Sequence, residues 1–233
     1  MNNHDKEILR DALKNAAIKF QFEYKVFLAI QRYLLKVNLA ALKKIPPIDG
    51  AHTECAEHLA PSCESPYIYI CTRLYISLIA SFELLIQDFA VAVITAHPKK
   101  VGQIEFKLSE ILDSSEKNEL TQRAIQETLN KIMYEKPLDY LAKISSLLSI
   151  NEKSLQPLWQ TFIEAKARRD LGLHNGWECN AIYLRKVSEA NLTTEFVLGE
   201  STLPNVNEYI TPVGKALSEL AKLLYKEISA KHL

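Results

Sequence analysis

Three residues in the later part of the chain have side chains suited to cleaving a phosphodiester. Arg169, Asp170 and His174 stand in the run RRDLGLHN, in which the arginine and the histidine are five positions apart. Arginine binds phosphate oxygens through a planar fork of N–H donors, and histidine is the side chain whose ordinary pKa lets it exchange protons near neutral pH. In principle, these two groups are sufficient to cleave RNA without a metal ion.

The spacing of the arginine and the histidine does not by itself bring them together. On an ideal helix, residues five positions apart are separated by roughly 140° around the axis and by roughly 7.5 Å along it. Either Gly172 and Gly176 distort the helix, or a two-fold dimer places two copies of the segment against each other. Asp170 and His174 are four positions apart and lie on one face, so the carboxylate can orient the imidazole.

A local basic patch surrounds these residues. The whole chain has 28 Lys and Arg against 28 Asp and Glu, which excludes the general attraction to nucleic acid that a strongly basic domain has. Any contact with RNA must therefore be local, and one patch could provide it: Lys166, Arg168, Arg169, Arg185 and Lys186. A charge run of this kind is equally typical of a solvated helix face, so both interpretations stay open.

Arg169, Asp170 and His174 also have an interpretation in which their role is structural. Arg169 and Asp170 would then form surface ion pairs, and His174 would lie at the C-terminal end of a helix, where the helix dipole favours a cation. Glu83 stands in the middle of an apolar stretch, where a charge needs a partner. It either approaches Arg168 or Arg169, or forms a peripheral salt bridge.

The elements that carry these residues are predicted to be helices. Glycine is scarce, with 6 residues, and the few prolines fall in short clusters. Apolar residues recur at helical spacing, which predicts helices over about 5–44, 66–96, 114–134, 137–148, 154–173, 179–187 and 212–230. Residues 192–210 are β-prone, and we expect a small hairpin near 193–210. We expect a single all-α domain over residues 1–233.

The sequence also indicates a cytoplasmic protein. Its first residues, MNNHDKEILRDALK, lack the apolar core and cleavage site of a signal peptide. The most apolar stretch, Leu74 to Thr95, is interrupted by polar residues and is therefore interpreted as a buried helix, with no membrane partner. The 4 cysteines would then stay reduced and unpaired.

One further cluster could bind a metal. His52, Cys55, His58 and Cys63 are potential zinc ligands within a predicted loop. They lack the paired Cys-x2-Cys knuckle of common zinc sites, so an ordinary polar loop competes with a structural metal site. We assign no metal and no cofactor to the candidate site.

The run RRDLGLHN resembles the signature of the HEPN-domain family, in which an arginine is followed by a polar residue and, a short interval later, by a histidine. Arg169, Asp170 and His174 match this pattern one by one. The downstream stretch NGWECNAIYLRKV and the earlier stretches SFELLIQDF and HPKK also look like the corresponding parts of bacterial HEPN-type proteins. The resemblance covers roughly residues 66–113 and 155–190.

The resemblance implies an all-α up-and-down bundle that forms a homodimer, with a composite metal-independent endoribonuclease site between the two subunits. His174 would act as general base or acid on the ribose 2′-hydroxyl and the leaving group, Arg169 would stabilise the phosphorane, and Asp170 would orient His174. The products would be a 2′,3′-cyclic phosphate and a 5′-hydroxyl. Further residues would bind RNA or support the site: Lys166, Arg168, Arg185, Asn175 and Glu83.

The resemblance also implies a biological context and leaves a second class of function open. RNA would be the substrate in toxin, antiphage or RNA-processing activity, with an antitoxin or a neighbouring defence protein as partner. Members paired with a nucleotidyltransferase antitoxin carry Asp-Tyr shortly after the histidine, whereas this chain continues with Asn175, Gly176 and Trp177. The alternative is a non-catalytic module of the same fold that binds RNA, a nucleotide or a protein.

Overall fold

Seven α-helices account for most of the described chain. The computed structural model describes residues 3–42, 66–101, 117–133 and 135–233. Its helices are α1 (Asn3–Leu42), α2 (Pro66–Ala96), α3 (Lys117–Met133), α4 (Pro137–Leu148), α5 (Glu152–His174), α6 (Ala181–Glu189) and α7 (Thr211–His232). A short 3-10 helix (Pro98–Val101) follows α2, and a π-helical turn (Val206–Ile210) precedes α7. The prediction of an all-α fold is confirmed.

Local capping signals set several of the helix ends. The side chain of Asn151 accepts a hydrogen bond from the backbone N–H of Lys153 at 3.1 Å, so α5 begins two residues before the predicted start. Asn180 caps α6 in the same way, through the backbone N–H of Tyr183 at 2.9 Å. Proline at the first turn of α4 supplies a backbone angle that already suits a helix, and α4 has the predicted bounds.

The hairpin expected near 193–210 is not formed. Within the described ranges no β-strand occurs, and an isolated antiparallel bridge joins Glu178 to Ser201. The backbone N–H of Cys179 donates to the carbonyl of Glu200 at 2.8 Å, and the N–H of Gly199 donates to the carbonyl of Cys179 at 3.0 Å. The β-prone loop therefore pairs with the turn that follows α5, and its later part is helical.

Helix α2 packs in the middle of the fold. Phe82 lies between Phe20 of α1 and Phe162 of α5, with ring centroids 5.3 Å and 4.9 Å apart in edge-to-face geometry. All three rings are buried in one apolar core to which every described α-helix except α6 contributes, and α6 packs against α5 in a smaller cluster. In the part of the chain that the structure describes, one helical stretch, Ile68–Ala96, is long and apolar enough to cross a membrane, and 61% of its most apolar window is buried.

Helices α1 and α7 are antiparallel. The ammonium of Lys6, near the start of α1, donates to the carbonyl of Leu233 at 3.2 Å. Further along α1, the amide of Gln31 donates to the hydroxyl of Thr211, at the start of α7, at 2.8 Å. The two contacts pair opposite ends of the helices, which is the arrangement of neighbours in an up-and-down bundle.

One expectation concerns residues outside the described ranges. The candidate zinc ligands His52, Cys55, His58 and Cys63 fall in the range 43–65. Among the residues that the structure does describe, no group of three or more His, Cys, Asp or Glu side chains could hold a metal ion. The zinc expectation stays a prediction.

The end of α5 is shaped by a tryptophan that packs on a glycine. A Cβ atom added to Gly172 would lie 2.3 Å from the indole ring of Trp177, closer than any side-chain carbon can approach. Gly176 and Trp177 both have positive φ, 57° and 68°, and they turn the chain back after the helix. Gly172 therefore admits the indole and does not distort α5, which stays helical through His174.

Gly172→Ala should destabilise the protein by about 2 kcal/mol, because the indole must leave its position. In an exposed helix the same change stabilises by roughly 0.5–1 kcal/mol. The clash with the indole must first offset that gain before any net loss of stability is measured. Urea denaturation measures the difference. Gly214→Ala in α7 is the matched control, since its added Cβ would meet its nearest neighbour at 3.2 Å, and a larger loss in the control would contradict the packing argument.

Candidate functional site

A groove of about 900 Å³ brings the Arg/His segment together with four other helices, α2, α3, α4 and α6. We call it the Arg/His groove. Its wall on α5 is formed by Lys166, Arg169, Asp170 and His174. The opposite walls include Glu83 and Gln87 of α2, Tyr140 of α4, and Arg185 and Lys186 of α6. The arginine and the histidine of the signature therefore line one groove of a single protomer.

Glu83 of α2 binds the side of α5 that carries Lys166 and Arg169. Its side chain is 9% exposed, and each carboxylate oxygen binds a different cation. Oε2 accepts from Nη1 of Arg169 at 2.5 Å, and Oε1 lies 2.6 Å from Nζ of Lys166. The predicted approach of Glu83 to Arg169 is present, and the approach to Arg168 is not. The sequence pattern did not predict that Lys166 is the second partner of Glu83.

Asp170 binds two cations and not the histidine. Its Oδ1 accepts from Nε and Nη2 of Arg169 at 3.1 Å and 2.9 Å, and its Oδ2 accepts from Nζ of Lys186 at 2.8 Å. The expected bond between Asp170 and His174 is not made, because full positive charges occupy both oxygens. The structure therefore corrects the role of Asp170: it positions Arg169 and Lys186.

The charges of the groove form one continuous set. We call it the five-charge chain, in the order Lys166, Glu83, Arg169, Asp170, Lys186. Three cations face two carboxylates, which leaves a formal charge of one positive unit. Charge-assisted hydrogen bonds of this kind are directional, so they fix the plane of the guanidinium as well as its position. Arg169 is consequently fixed in orientation before any substrate arrives.

Burial and neighbouring charges act in opposite directions on these groups. Burial alone would lower the pKa of Arg169, but Glu83 and Asp170 outweigh it and raise that pKa above its usual value. Burial alone would raise the pKa of Asp170, but Lys186 and then Arg169 hold that pKa below its usual value. Both groups therefore keep their charge over the whole range of pH in which proteins are commonly active.

His174 is the last residue of α5, and its side chain is exposed. Its imidazole makes no hydrogen bond to any residue in the described ranges. Asn175 holds the helix end instead: its backbone N–H donates to the carbonyl of Leu171 at 2.8 Å, and its side-chain amide donates to the carbonyl of Glu178 at 2.7 Å. Asn175 thus fixes the turn that presents His174, and both imidazole nitrogens stay accessible to a substrate.

Arg168 lies on the other side of α5 from Arg169. It is 9% exposed, its Nε donates to Oε1 of Glu164 at 2.9 Å, and its guanidinium stacks 3.8 Å from the ring centroid of Tyr209 and 4.8 Å from that of Phe196. It does not line the Arg/His groove. The structure therefore places Arg168 among the packing contacts of α5, where RNA cannot reach it.

Arg185 has the opposite environment. It is exposed on α6, it lines the Arg/His groove, and no ion pair engages it among the described residues. Its neighbour Lys186 is bound to Asp170. Of the basic patch named from the sequence, Arg185 is therefore the cation most available to an incoming phosphate.

The sequence did not identify Tyr140 or Gln87 as groove residues. Both come from helices other than α5, and although Gln87 falls in the stretch SFELLIQDF, nothing in that stretch marks it as a groove residue. Tyr140 forms part of the wall beside Lys166, whose ammonium lies 5.3 Å from the centroid of the phenol ring. No local pattern could have revealed this contact, because it depends on how α4 packs against α5.

Comparisons of the chain with protein-family models, with curated proteins and with solved structures found no match. The functional interpretation rests on the groove itself. The groove combines a fixed guanidinium, an exposed imidazole and an unengaged arginine, and these are groups that bind and cleave phosphate esters.

Glu83→Gln should destabilise the protein by about 3 kcal/mol, because it leaves two partly buried cations without their carboxylate. The change keeps the shape of the side chain, so packing is unaffected. Asp88→Asn on the same helix is the matched control, since Asp88 lies outside the Arg/His groove. Urea denaturation of both variants measures the loss of unfolding free energy. An equal loss in the two would contradict a special structural role for Glu83.

Proposed function

We propose that the protein is a metal-independent endoribonuclease of the HEPN type. The observation that carries the proposal is that Arg169 and His174 line one groove, where ion pairs hold the guanidinium and the imidazole is exposed. A charge stabiliser must be oriented in advance, whereas a proton carrier must be able to reach the substrate. The two residues meet these different requirements.

The chemistry follows from the two side chains. His174 removes the proton of a ribose 2′-hydroxyl, the 2′-oxygen attacks the adjacent phosphorus, and the bond from phosphorus to the 5′-oxygen breaks. Arg169 stabilises the negative charge that develops on the phosphoryl oxygens. A proton returns to the 5′-oxygen, and the products are a 2′,3′-cyclic phosphate and a 5′-hydroxyl. Arg185 binds a neighbouring phosphate.

A homodimer would complete this site. Each protomer contributes one His174, while the reaction needs a base at the 2′-oxygen and an acid at the 5′-oxygen. Two apolar side chains near the groove support a protein surface over it: Leu173, next to His174, is 45% exposed, and Ile182 of α6 is 54% exposed. We propose that a second copy covers this face across a two-fold axis, so that one His174 acts as the base and the partner's His174 acts as the acid.

The biological setting belongs to the same proposal. The protein would act in the cytoplasm on RNA, as a toxin, in antiphage defence or in RNA processing, with an antitoxin or a neighbouring defence protein as its partner. The five-charge chain supports modest affinity for RNA, because only one positive unit remains after pairing and phosphate binding scales with the number of free cations.

One observation favours the alternative, a non-catalytic module that binds RNA, a nucleotide or a protein. The guanidinium of Arg169 is engaged by Glu83 and Asp170, as the guanidinium of a structural arginine would be. In that case His174 would be exposed only because it ends a helix, and phosphate would bind at Arg185 without being cleaved.

Incubation of the purified protein with total RNA in EDTA separates the two functions. The native protein should cleave RNA and leave 2′,3′-cyclic phosphate and 5′-hydroxyl ends. His174→Ala and Arg169→Ala should each reduce the rate by about a hundredfold or more, because each removes a group needed in the transition state.

His4→Ala and Arg123→Ala are the controls for that assay, since both residues are exposed and lie outside the Arg/His groove. They should cleave at the native rate. Equal background in the native protein and in all four variants would contradict the nuclease and favour the binding module. Cleavage that occurs without EDTA and is lost in EDTA would contradict the metal-independent mechanism.

A further inference from the structure

Tyr140 has an unusual environment for a buried tyrosine. Its side chain is 3% exposed, yet its hydroxyl makes no hydrogen bond to any residue in the described part of the chain. Buried tyrosine hydroxyls normally find a partner, because an unbonded polar group inside a protein costs about 1–3 kcal/mol. The other large tyrosines of the core follow the rule: the hydroxyl of Tyr75 donates to the carbonyl of Ala165 at 2.6 Å, and that of Tyr183 donates to Glu164 at 2.8 Å.

The hydroxyl of Tyr140 is not sealed inside the core. Among the described residues, the buried polar side-chain atoms that lack both a partner and solvent belong to Ser145, Trp159 and Ser229, and the Tyr140 oxygen is not one of them. The residue lines the Arg/His groove. The accessible part of Tyr140 therefore includes its hydroxyl oxygen, in a residue that lines the groove.

The described groups around Tyr140 make no hydrogen bond to its hydroxyl. Its ring packs on the indole of Trp159, with centroids 5.3 Å apart, and the ammonium of Lys166 lies over the ring. Glu83 is close enough to affect it electrostatically, but its carboxylate oxygens bind Lys166 and Arg169 and make no hydrogen bond to the phenol. The packing fixes the phenol in position and leaves its hydrogen-bond donor for a molecule in the groove.

The phenol remains available as a hydrogen-bond donor. Burial, and then the negative charge of Glu83, raise the pKa of Tyr140 above its usual value, so the hydroxyl stays protonated. A neutral donor beside Lys166 and Arg169 suits an acceptor that carries negative charge. Within a strand of RNA, the groups of this kind are the phosphate oxygens.

We propose that Tyr140 is a substrate-binding residue whose hydroxyl donates a hydrogen bond to a phosphate oxygen of RNA in the Arg/His groove. This inference rests on the proposed function for the identity of the ligand. It adds a contact from α4 to those of α5 and α6, so the bound phosphate would be held from both walls of the groove. Tyr140 does not exchange protons in the reaction; it positions the strand against Arg169.

Binding of an RNA that cannot be cleaved tests the contact apart from catalysis. The probe is a fluorescent oligoribonucleotide with 2′-O-methyl groups throughout, and fluorescence anisotropy gives the Kd for the full chain at low salt. Tyr140→Phe should weaken binding about tenfold, the usual effect of losing one hydrogen bond to a charged group. Its thermal stability should equal or exceed that of the native protein, because no hydrogen bond within the protein is lost.

Tyr225→Phe is the matched control, since Tyr225 is a half-buried phenol on α7 that does not line the groove. It should bind like the native protein. An unchanged Kd in Tyr140→Phe overturns the inference, whether or not the native protein cleaves RNA. A tenfold loss with no cleavage by the native protein supports the contact and overturns the nuclease. A failure of the native protein to bind the oligonucleotide overturns both.

Discussion

The carboxylate of Glu83 between two cations is the interaction on which the site depends. It stands on the central helix α2, 9% exposed, and it binds Arg169 and Lys166 of α5 at the same time. A charge in that position is tolerated only when paired, so the apolar helix and the basic helix must dock in one register. That register places Arg169 in the groove and leaves His174 at its edge, where the helix ends.

Local signals predicted the elements, and long-range packing decided the roles of the side chains. Proline sets the starts of α2, α4 and α7 closely enough to read from the sequence. The sequence could not show which of two adjacent arginines faces the groove. Consecutive residues on a helix are about 100° apart, so Arg169 meets Glu83 while Arg168 stacks on Tyr209.

Two expectations failed for a common physical reason, which is competition between partners. Asp170 is well placed to orient His174, but Arg169 and Lys186 carry full charges and bind its oxygens instead. The β-prone residues after α6 could have paired with one another, but the turn that follows α5 offers backbone partners to Gly199 and Glu200. Spacing predicts which contacts are geometrically available and does not rank them against contacts from distant segments.

A mixed dimer of one native subunit and one His174→Ala subunit, co-expressed and purified through two different tags, tests the shared site most directly. The proposed reaction takes its base and its acid from the two His174 residues of the dimer, and the mixed dimer holds one of them. If the two subunits pool these groups, the mixed dimer should cleave RNA as slowly as the dimer in which both subunits carry His174→Ala. A mixed dimer that keeps about half of the native rate, beside a native protein that cleaves RNA, would contradict the shared site.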